Sequence, residues 1–467
     1  MGLLAAAWAP YPHWLNPGDN AWQMTAATLV GLMSVPGLVV LYGGVMQKRW
    51  SVNSMMLSFA AFGLVLVVWV LWAFEMAFGH PWHGLSAHGF LANFVGQPGA
   101  VLDHAAEEGR AAIPLITTGP PFHFSQSTLV YFQFVFAAIT PILMLGSVLG
   151  RVNFKAWLLF VPLWTTCIYV VNAFLIWGGG WFAQQGTVDY SGGYVIHLSA
   201  GVSGFVAAAV IGPRLARDRE IDAPNNLLMV AAGAGLLWLG WNGFNGGDPY
   251  YAGADAAAAI LNTNVATAVA FLVWVVWDYT TGRKPSLIGS VNGMIVGLVA
   301  ITPAAGFVNG YGAIAIGAIG SSVVYLAYNY LSRVRPFRTV DDTLGVIYTH
   351  GFAGLAGGLL TGLFADSHMV VYLGLGSTPS FSAVGSLHLL ELQLLAGAWV
   401  ILFSAGGTFV LLRLVGLLIP LRMTEAEMET GDIAVHGHEV YPSDVPSLGS
   451  HGAPPRAPVA TPEPAAG

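Results

Sequence analysis

The chain has 467 residues, of which 55% are hydrophobic and only 8% are charged. Its mean hydropathy is +0.67 and its formal net charge is −7, whereas soluble domains carry about 25% charged residues. This composition excludes an ordinary water-soluble protein and a nucleic-acid-binding protein with a basic surface, and it predicts an integral membrane protein.

Eleven apolar stretches are long enough to cross a bilayer as α-helices. In chain order they lie near residues 22–45, 55–78, 125–149, 156–178, 193–212, 226–246, 256–278, 287–306, 311–331, 343–365 and 394–419. The sequence therefore predicts an all-α integral membrane protein with eleven transmembrane helices.

The remaining segments divide the chain into four parts. Residues 1–19 are a short external segment without Lys or Arg, so the charged start of a secretory signal is missing, and a degenerate signal stays an alternative. Residues 20–420 form the transmembrane domain and 421–441 a cytoplasmic C-terminal region. Residues 442–467, rich in Pro, Ala, Ser and Gly, are predicted to be a disordered tail.

The positive charges predict how the helices are oriented. If the N-terminus is outside, 15 of the 16 Lys and Arg residues fall in inward loops and the tail, and only Arg110 falls outside. Cytoplasmic loops hold an excess of these residues. The pattern predicts a multi-pass protein of the plasma (inner) membrane, with its N-terminus outside and its C-terminus in the cytoplasm.

Two stretches share one spacing of aspartate, histidine and glycine. Residues 189–204 read DYSGGYVIHLSAGVSG and residues 342–357 read DTLGVIYTHGFAGLAG, so both follow D-x7-H-x3-G-x2-G. They belong to the fifth and tenth predicted helices, which the charge pattern orients in opposite directions. The spacing predicts an inverted five-helix repeat with a pseudo-twofold axis, plus one extra helix.

Both histidines of this repeat are expected near the middle of the membrane. A helix of eight residues carries His197 and His350 about 12 Å inward from Asp189 and Asp342, which lie at opposite faces of a core about 30 Å thick. The glycines that follow each histidine let two helices approach closely. A core histidine bonded to a carbonyl is the ordinary alternative, but ionisable groups inside a membrane usually mark a pathway.

Two neutral imidazoles at this depth suit the passage of a small polar molecule. Burial disfavours the charged form of histidine, and one ring N–H can then point to the free nitrogen of the other ring. Haem ligation in an oxidoreductase is the competing chemistry, but haem needs a wide cleft between its ligands. Cys167 is the only cysteine, which excludes two-cysteine metal and redox motifs, and no cofactor or metal is predicted.

Aromatic residues at the outer helix ends form a further pattern. Trp177 ends the fourth helix, Phe132 and Phe136 share one face of the third, and Trp241 and Phe244 lie near the outer end of the sixth. Ring faces hold a small cation at about 0.5–2 kcal/mol per contact. Most such rings, however, belong to ordinary packing or to the interfacial belt.

Taken together, these motifs resemble the ammonium transporter (Amt/Mep/Rh) family. The resemblance is carried by PGLVVLYGG at 36–44, DYSGGYVIHLSAG at 189–201, WNGFN at 241–245, GRKPSLIG at 282–289 and the DD-x7-HG of 341–351. It extends from about Asn20 to Tyr441. It implies a transport protein rather than an enzyme, with ammonium, ammonia and methylammonium as substrates.

The resemblance also implies how the pore is built. His197 and His350 correspond to twin pore histidines, and Phe136 and Phe244 correspond to a stacked phenyl gate. Trp241 corresponds to a pore-lining residue behind that gate. Ammonium is then expected to bind outside, to lose its proton, and to pass the histidines as ammonia.

External recruitment of the cation is expected to involve Trp177, Phe136 and Asp248. The family commonly has a small hydroxyl residue at the place of Asp248, so this carboxylate either strengthens cation capture or caps the following loop. Asp189 is expected to support its helix start as an N-cap rather than to touch the ligand. Gly345, predicted inside the tenth helix, replaces a typical aspartate and puts a cytoplasmic network through that side chain in doubt.

Assembly and partners also follow from the resemblance. It implies a homotrimer in the lipid bilayer with one pore per subunit, and residues 421–441 resemble a region that meets a PII-type regulatory protein in many members. No nucleic-acid partner is predicted. Two alternatives remain: a sensor of ammonium, and an Rh-like channel for neutral gases.

Overall fold

The computed structural model describes residues 11–83, 89–116, 121–220, 223–371 and 382–441, and within these ranges the regular structure is helical apart from isolated β-bridges. The bundle consists of eleven long apolar helices. They are α1 (Pro17–Val45), α2 (Lys48–Phe78), α3 (Gln126–Leu145), α4 (Phe154–Gln185), α5 (Gly193–Ile211), α6 (Leu227–Gly246), α7 (Ala254–Thr280), α8 (Leu287–Ile301), α9 (Gly310–Asn329), α10 (347–364) and α11 (Leu387–Gly416).

The predicted all-α architecture with eleven transmembrane helices is confirmed. In the part of the chain that the structure describes, nine helices have the length and apolar composition needed to span a membrane. The other two are α8, with 15 residues, and α10, which joins a π-helical turn to a 12-residue α-helix. The largest differences in bounds are seven residues: α2 begins at Lys48 rather than at 55, α4 ends at Gln185 rather than at 178, and α11 begins at Leu387 rather than at 394.

Four of the helices begin with an asparagine cap, and these caps repeat between the two halves of the bundle. Asn16 and Asn226 accept hydrogen bonds from first-turn amides of α1 and α6. Asn153 and Asn309 do the same for α4 and α9. Because an asparagine oxygen satisfies amides that have no partner inside the helix, each of these residues fixes a helix start.

Hydrogen bonds between the halves show the inverted repeat directly. The amides of the two residues after Asp189 donate at 3.2 Å to the carbonyls of residues 302–303, just past the end of α8. The amides of the two residues after Asp342 donate at 3.2 Å to the carbonyls of residues 146–147, just past α3. Each half therefore holds the start of the other half's histidine-bearing helix.

The two histidine-bearing helices, α5 and α10, cross in opposite directions at their glycines. A Cβ atom on Gly201 would lie 2.4 Å from the backbone nitrogen of Gly351, and one on Gly354 would lie 2.4 Å from the carbonyl oxygen of Gly193. The later residue of α5 thus meets the earlier residue of α10, as in an antiparallel pair. Only glycine allows backbones to approach this closely.

A left-handed glycine precedes each of these helices. Gly192 has φ +109 and Gly345 has φ +69, and each lies three residues after its aspartate. The prediction that Gly345 lies inside the tenth helix is therefore wrong, because it belongs to the turn before α10. A side chain at Gly345 would be strained by this φ, and its Cβ would lie 2.6 Å from the ring of Tyr328.

The loops that carry the basic residues meet at one end of the bundle. Arg49 at the start of α2 pairs with Asp218, and Arg214 pairs with Asp341 at 2.9 Å, so the start of α2, the α5–α6 loop and the α9–α10 loop are joined. Arg151 in the α3–α4 loop donates to a carbonyl of the α5–α6 loop at 2.6 Å. The loops predicted to lie on the cytoplasmic side therefore gather at one end of the bundle, which we call the basic end.

The segment after α11 folds back onto this basic end. Thr424 and Glu427 form a reciprocal capping box at the start of a short helix. Further on, the carboxylate of Asp432 accepts the amides of Val52 and Asn53 at the start of α2, each at 2.8 Å. The predicted disordered tail, 442–467, and the first ten residues of the predicted external segment lie outside the described residues.

Candidate functional site

A column of rings runs through the centre of the bundle. Its centroid distances are 6.2 Å for Trp177 to Phe136, 4.4 Å for Phe136 to Phe244, 5.9 Å for Phe244 to His197 and 5.3 Å for His197 to His350. Phe136, Phe244 and His197 are fully buried. The structure therefore brings five of the predicted site residues into one continuous line.

The two histidines at the inner end of the column are in direct contact. Nδ1 of His197 lies 3.2 Å from Nδ1 of His350. A hydrogen bond at this distance requires one Nδ1 to carry the proton and the other to accept it, which suits two neutral rings. Nε2 of His197 has no hydrogen-bond partner among the described residues and is free to meet a small molecule.

The two phenylalanines block the column on the outer side of the histidines. Phe136 comes from α3 and Phe244 from α6, and their rings are tilted by 36°. A centroid distance of 4.4 Å places the two rings in contact. Phe132 packs behind Phe136 at 4.8 Å, so the position of this pair is fixed from the α3 side.

Trp241 packs against one phenylalanine and one histidine of the column. Its ring stacks on His197 at 5.3 Å and contacts Phe244 at 4.9 Å. Its Nε1 donates a 2.8 Å hydrogen bond to Oγ1 of Thr302. Sequence reasoning did not identify Thr302, since a threonine near the end of an apolar stretch has no distinguishing signal.

Cavities reach the column from both ends. The outer cavity has a volume of about 390 Å³, and Trp177 and Asp248 are among its lining residues. The inner cavity has a volume of about 120 Å³, and His350 and Trp241 are among its lining residues. The ring column is therefore the barrier between two spaces that a small molecule can occupy.

The predicted recruitment residues meet around the outer cavity. The ring of Trp177 is held by a 2.7 Å hydrogen bond from its Nε1 to the carbonyl oxygen of Asp189, and it meets Phe136 edge to face. Asp248 lines the same cavity as Trp177. A Cβ atom on Gly247 would lie 2.4 Å from the ring of Phe132, so this glycine lets the Asp248 loop pack against the aromatic residues.

Asp248 is a buried acid with unused acceptor capacity. The residue is 9% exposed, and its Oδ2 has no hydrogen-bond partner among the described residues. Burial raises the pKa of the Asp248 carboxyl well above its usual range, against the opposing effect of a hydrogen bond with the Ser191 side chain, and the charge of Asp189 raises it further. A cation in the cavity would stabilise the ionised carboxylate.

The carboxylate of Asp189 is occupied by its own helix start. Its oxygens accept the amides of Gly192 at 3.2 Å, Tyr194 at 2.9 Å and Val195 at 3.0 Å. In the other half, Asp342 accepts the amide of Ile347 at 2.9 Å. These are the contacts of N-terminal caps.

The geometry does not fit haem ligation. The two Nδ1 atoms are 3.2 Å apart and the rings are only 25° from parallel, so a porphyrin with its iron has no room between them. Among the residues that the structure describes, no group of three or more His, Cys, Asp and Glu is arranged to hold a metal ion.

Comparison with known proteins gives one consistent result. The family model described as Ammonium Transporter Family matches residues 21–441. The chain is 48% identical over 434 residues to Ammonium transporter 2 of Arabidopsis thaliana, covering 92% of this chain and 89% of that protein. It is 47% identical to Ammonium transporter 3 member 2 of Oryza sativa subsp. japonica, with coverage of 93% and 91%. The crystal structure of Saccharomyces cerevisiae Mep2 is similar at a TM-score of 0.76 and 29% identity, covering 89% of each chain.

Proposed function

The chain belongs to the ammonium transporter family, and we propose that it moves ammonium by deprotonating the cation and passing neutral ammonia along the ring column. As a member of this family it is a membrane transport protein and not an enzyme. The observation that carries the proposed mechanism is the unbroken line of rings from Trp177 to His350.

Recruitment begins at the outer cavity. The face of Trp177 attracts a cation, and a buried carboxylate beside it adds a full negative charge. Because Oδ2 of Asp248 is unpartnered and the residue lines the cavity, we favour cation capture over loop capping for this side chain. Methylammonium carries the same charge and donors, and it is a proposed substrate as well.

The column beyond the gate requires the substrate to lose its charge. Moving a cation into an apolar passage costs far more than moving a neutral amine, because no water replaces the lost hydration. The twin histidines then offer ammonia polar contacts without a net charge, beginning with Nε2 of His197. Potassium has no proton to release, so the same column rejects it.

The proposal also includes the orientation of the protein in the membrane and its assembly. The basic end that receives residues 421–441 is proposed to face the cytoplasm, with the N-terminus outside and the protein in the plasma membrane. A homotrimer with one pore per subunit, and a PII-type protein at the cytoplasmic end, are proposed from family membership.

The decisive experiment removes both pore histidines. Reconstituted protein receives ammonium or potassium pulses on a supported membrane, while current and luminal pH are recorded. We expect His197→Ala with His350→Ala to abolish ammonium selectivity, because removing both rings leaves a wider passage that water and hydrated ions can enter, and no imidazole remains to contact ammonia. His104→Ala, at an exposed position between α2 and α3, is the control and should behave as wild type.

Two outcomes would contradict the proposal. Unchanged rate and selectivity in the double variant would reject the roles of His197 and His350. Restored ammonium signalling in cells, without flux through the purified wild-type protein, would instead favour a sensor.

A further inference from the structure

A tyrosine just beyond the outer end of α6 has a strained backbone. Among the residues that the structure describes, nine glycines have a left-handed φ, and the one other residue that does is Tyr250, with φ +62. Residues other than glycine rarely adopt this conformation, and those that do are held by their surroundings and cluster at functional sites. The contacts of the Tyr250 side chain must therefore offset the strain of its backbone.

The ring of Tyr250 packs against three phenylalanines. Its centroid lies 4.9 Å from that of Phe122, 6.2 Å from that of Phe124 and 5.9 Å from that of Phe132. Phe122 and Phe124 belong to the connection before α3, and Phe132 belongs to α3 itself. All three phenylalanines are fully buried. The tyrosine thus joins the turn after α6 to α3 and to the connection that precedes it.

Hydrogen bonds hold Tyr250 at both its side chain and its backbone. Nε2 of Gln133, a buried residue of α3, donates to the hydroxyl oxygen of Tyr250 at 2.6 Å. The backbone amide of Tyr250 donates to the carbonyl oxygen of Gly247 at 3.0 Å. Since Gln133 directly follows Phe132, the hydroxyl group is tied to the same part of α3 that the ring contacts.

Phe132 is enclosed between this turn and the gate formed by Phe136 and Phe244. On one side, a Cβ atom on Gly247 would lie 2.4 Å from the Phe132 ring, and Tyr250 meets that ring edge to face at 74°. On the other side, the Phe132 ring lies 4.8 Å from the Phe136 ring. Protein interiors are packed without spare volume, so Phe136 moves toward Phe132 only if Phe132 and the turn behind it yield.

We propose that Tyr250 is a positioning residue for the gate, which holds Phe132 against Phe136 and thereby restricts the motion of the Phe136 ring. Tyr250 acts through Phe132 and does not need to touch the transported molecule. The consequence for transport rests on the proposed function, in which Phe136 moves aside at each crossing. The consequence for ring motion does not.

Fluorine NMR of the full-length protein in lipid nanodiscs tests the ring motion directly. Replacing Phe136 with 3-fluorophenylalanine places a fluorine where its environment changes when the ring rotates. Tyr250→Phe keeps the tyrosine's ring and removes the hydrogen bond from Gln133. We expect Phe136 exchange to become about two- to tenfold faster, the range for one neutral hydrogen bond lost from the closed state alone. Tyr250→Gly removes the ring without adding strain and should have a larger effect.

The neighbouring tyrosine supplies a matched control. The ring of Tyr251 lies 5.7 Å from that of His123, and its hydroxyl group has no hydrogen-bond partner among the described residues. Tyr251→Phe should therefore leave both Phe136 exchange and ammonium flux as in the wild type. Gln133→Met removes the donor, and its combination with Tyr250→Phe should accelerate exchange no more than either change alone, because the two act through one bond.

Flux measurements in liposomes then connect ring motion to transport. If Phe136 opens more often, Tyr250→Phe should raise the maximal ammonium flux while changing KM less than about twofold, and it should raise proton leak without ammonium. A role in folding alone would raise neither.

Unchanged Phe136 exchange in Tyr250→Phe and in Tyr250→Gly would overturn the proposal, as would an equal effect of Tyr251→Phe. Faster exchange with wild-type flux and leak would support the hold of Tyr250 on Phe136, and it would instead contradict the gate in the proposed function.

Discussion

At the scale of single residues, the two aspartates of the repeat, Asp189 and Asp342, differ in the number of backbone amides that donate to their carboxylates. Asp189 accepts three amides at the start of α5, and two of these bond to the same oxygen, Oδ2. Asp342 accepts the amide of Ile347 at the start of α10. A buried amide that loses its partner costs about 1–3 kcal/mol. The two positions therefore form a matched pair in which the same substitution should have different effects.

We expect Asp189→Asn to lower the free energy of unfolding by about 2–4 kcal/mol, and Asp342→Asn by about 1–2 kcal/mol. The amide group of asparagine presents N–H to backbone N–H on one side, and α5 has more such contacts to lose. Thermal unfolding of the purified variants, followed by tryptophan fluorescence, measures the difference. An equal fall in Tm for the two variants would show that Asp189 is not the stronger cap.

The sequence predicts residues that repeat, and it misses residues that act through a single distant contact. His197 and His350 were identifiable because their spacing to aspartate and glycine occurs twice. The shared glycine three residues after each aspartate is a signal in the same pattern, and the left-handed φ at Gly192 and Gly345 explains it. Thr302 acts only through Trp241, which lies 61 residues earlier, so no local pattern indicates it.

At the scale of helices, the crossing of α5 and α10 sets the distance between the histidines. Gly201 lies one helical turn after His197, and its backbone meets Gly351, the residue after His350. A side chain there must push the two helices apart, because the nearest atoms belong to the opposing backbone. The histidine contact at 3.2 Å thus depends on glycine at this position.

Gly201→Ala is expected to destabilise the protein by about 1–3 kcal/mol, as overpacking does elsewhere, and to reduce ammonium transport strongly. Gly406→Ala on α11 is the control, since a Cβ atom there meets nothing within 4 Å. Thermal unfolding and ammonium-driven flux are measured for both. Wild-type flux in Gly201→Ala would mean that close contact of the histidines is unnecessary.

At the scale of the whole molecule, the C-terminal region joins the basic end through a buried acid. Asp432 is 1% exposed and receives two amides from the start of α2. Burial raises the pKa of the Asp432 carboxyl to about 6, against the opposing effect of the amide hydrogen bonds. Since the docked state binds the proton more tightly, Asp432 favours docking at low pH, and this contribution is lost as pH rises through about 6.

We expect docking of the wild-type region to weaken more between pH 5 and pH 7.5 than docking of Asp432→Asn, which has no charge to bury. His436 acts in the opposite direction, because burial lowers its pKa, so the difference between the two proteins isolates Asp432. Hydrogen exchange of residues 51–54, corrected for intrinsic rates, reports the docking. Glu425→Gln is the exposed control, and an identical pH profile for Asp432→Asn and wild type would contradict the prediction.

The overall architecture was predictable because a bilayer imposes helix length, apolar composition and the side on which basic residues gather. The docking of residues 421–441 onto the basic end was not predictable. The contact from Asp432 to Val52 spans 380 residues and involves a backbone amide, which leaves no signal in the sequence. The outer cavity could not be predicted from the sequence either. Its wall comes from several separate loops and from the ends of α4 and α11, so no local pattern in the sequence indicates it.

If transport follows the proposed route, the contact between Phe136 and Phe244 also determines how the protein affects the cell between transport events. With these rings touching, no unbroken file of water joins the two faces of the membrane, so protons cannot hop across. The electrochemical gradient is preserved while ammonium is scarce. On the proposed route each crossing requires one of these rings to rotate aside, so the frequency of that rotation sets an upper limit on the turnover rate.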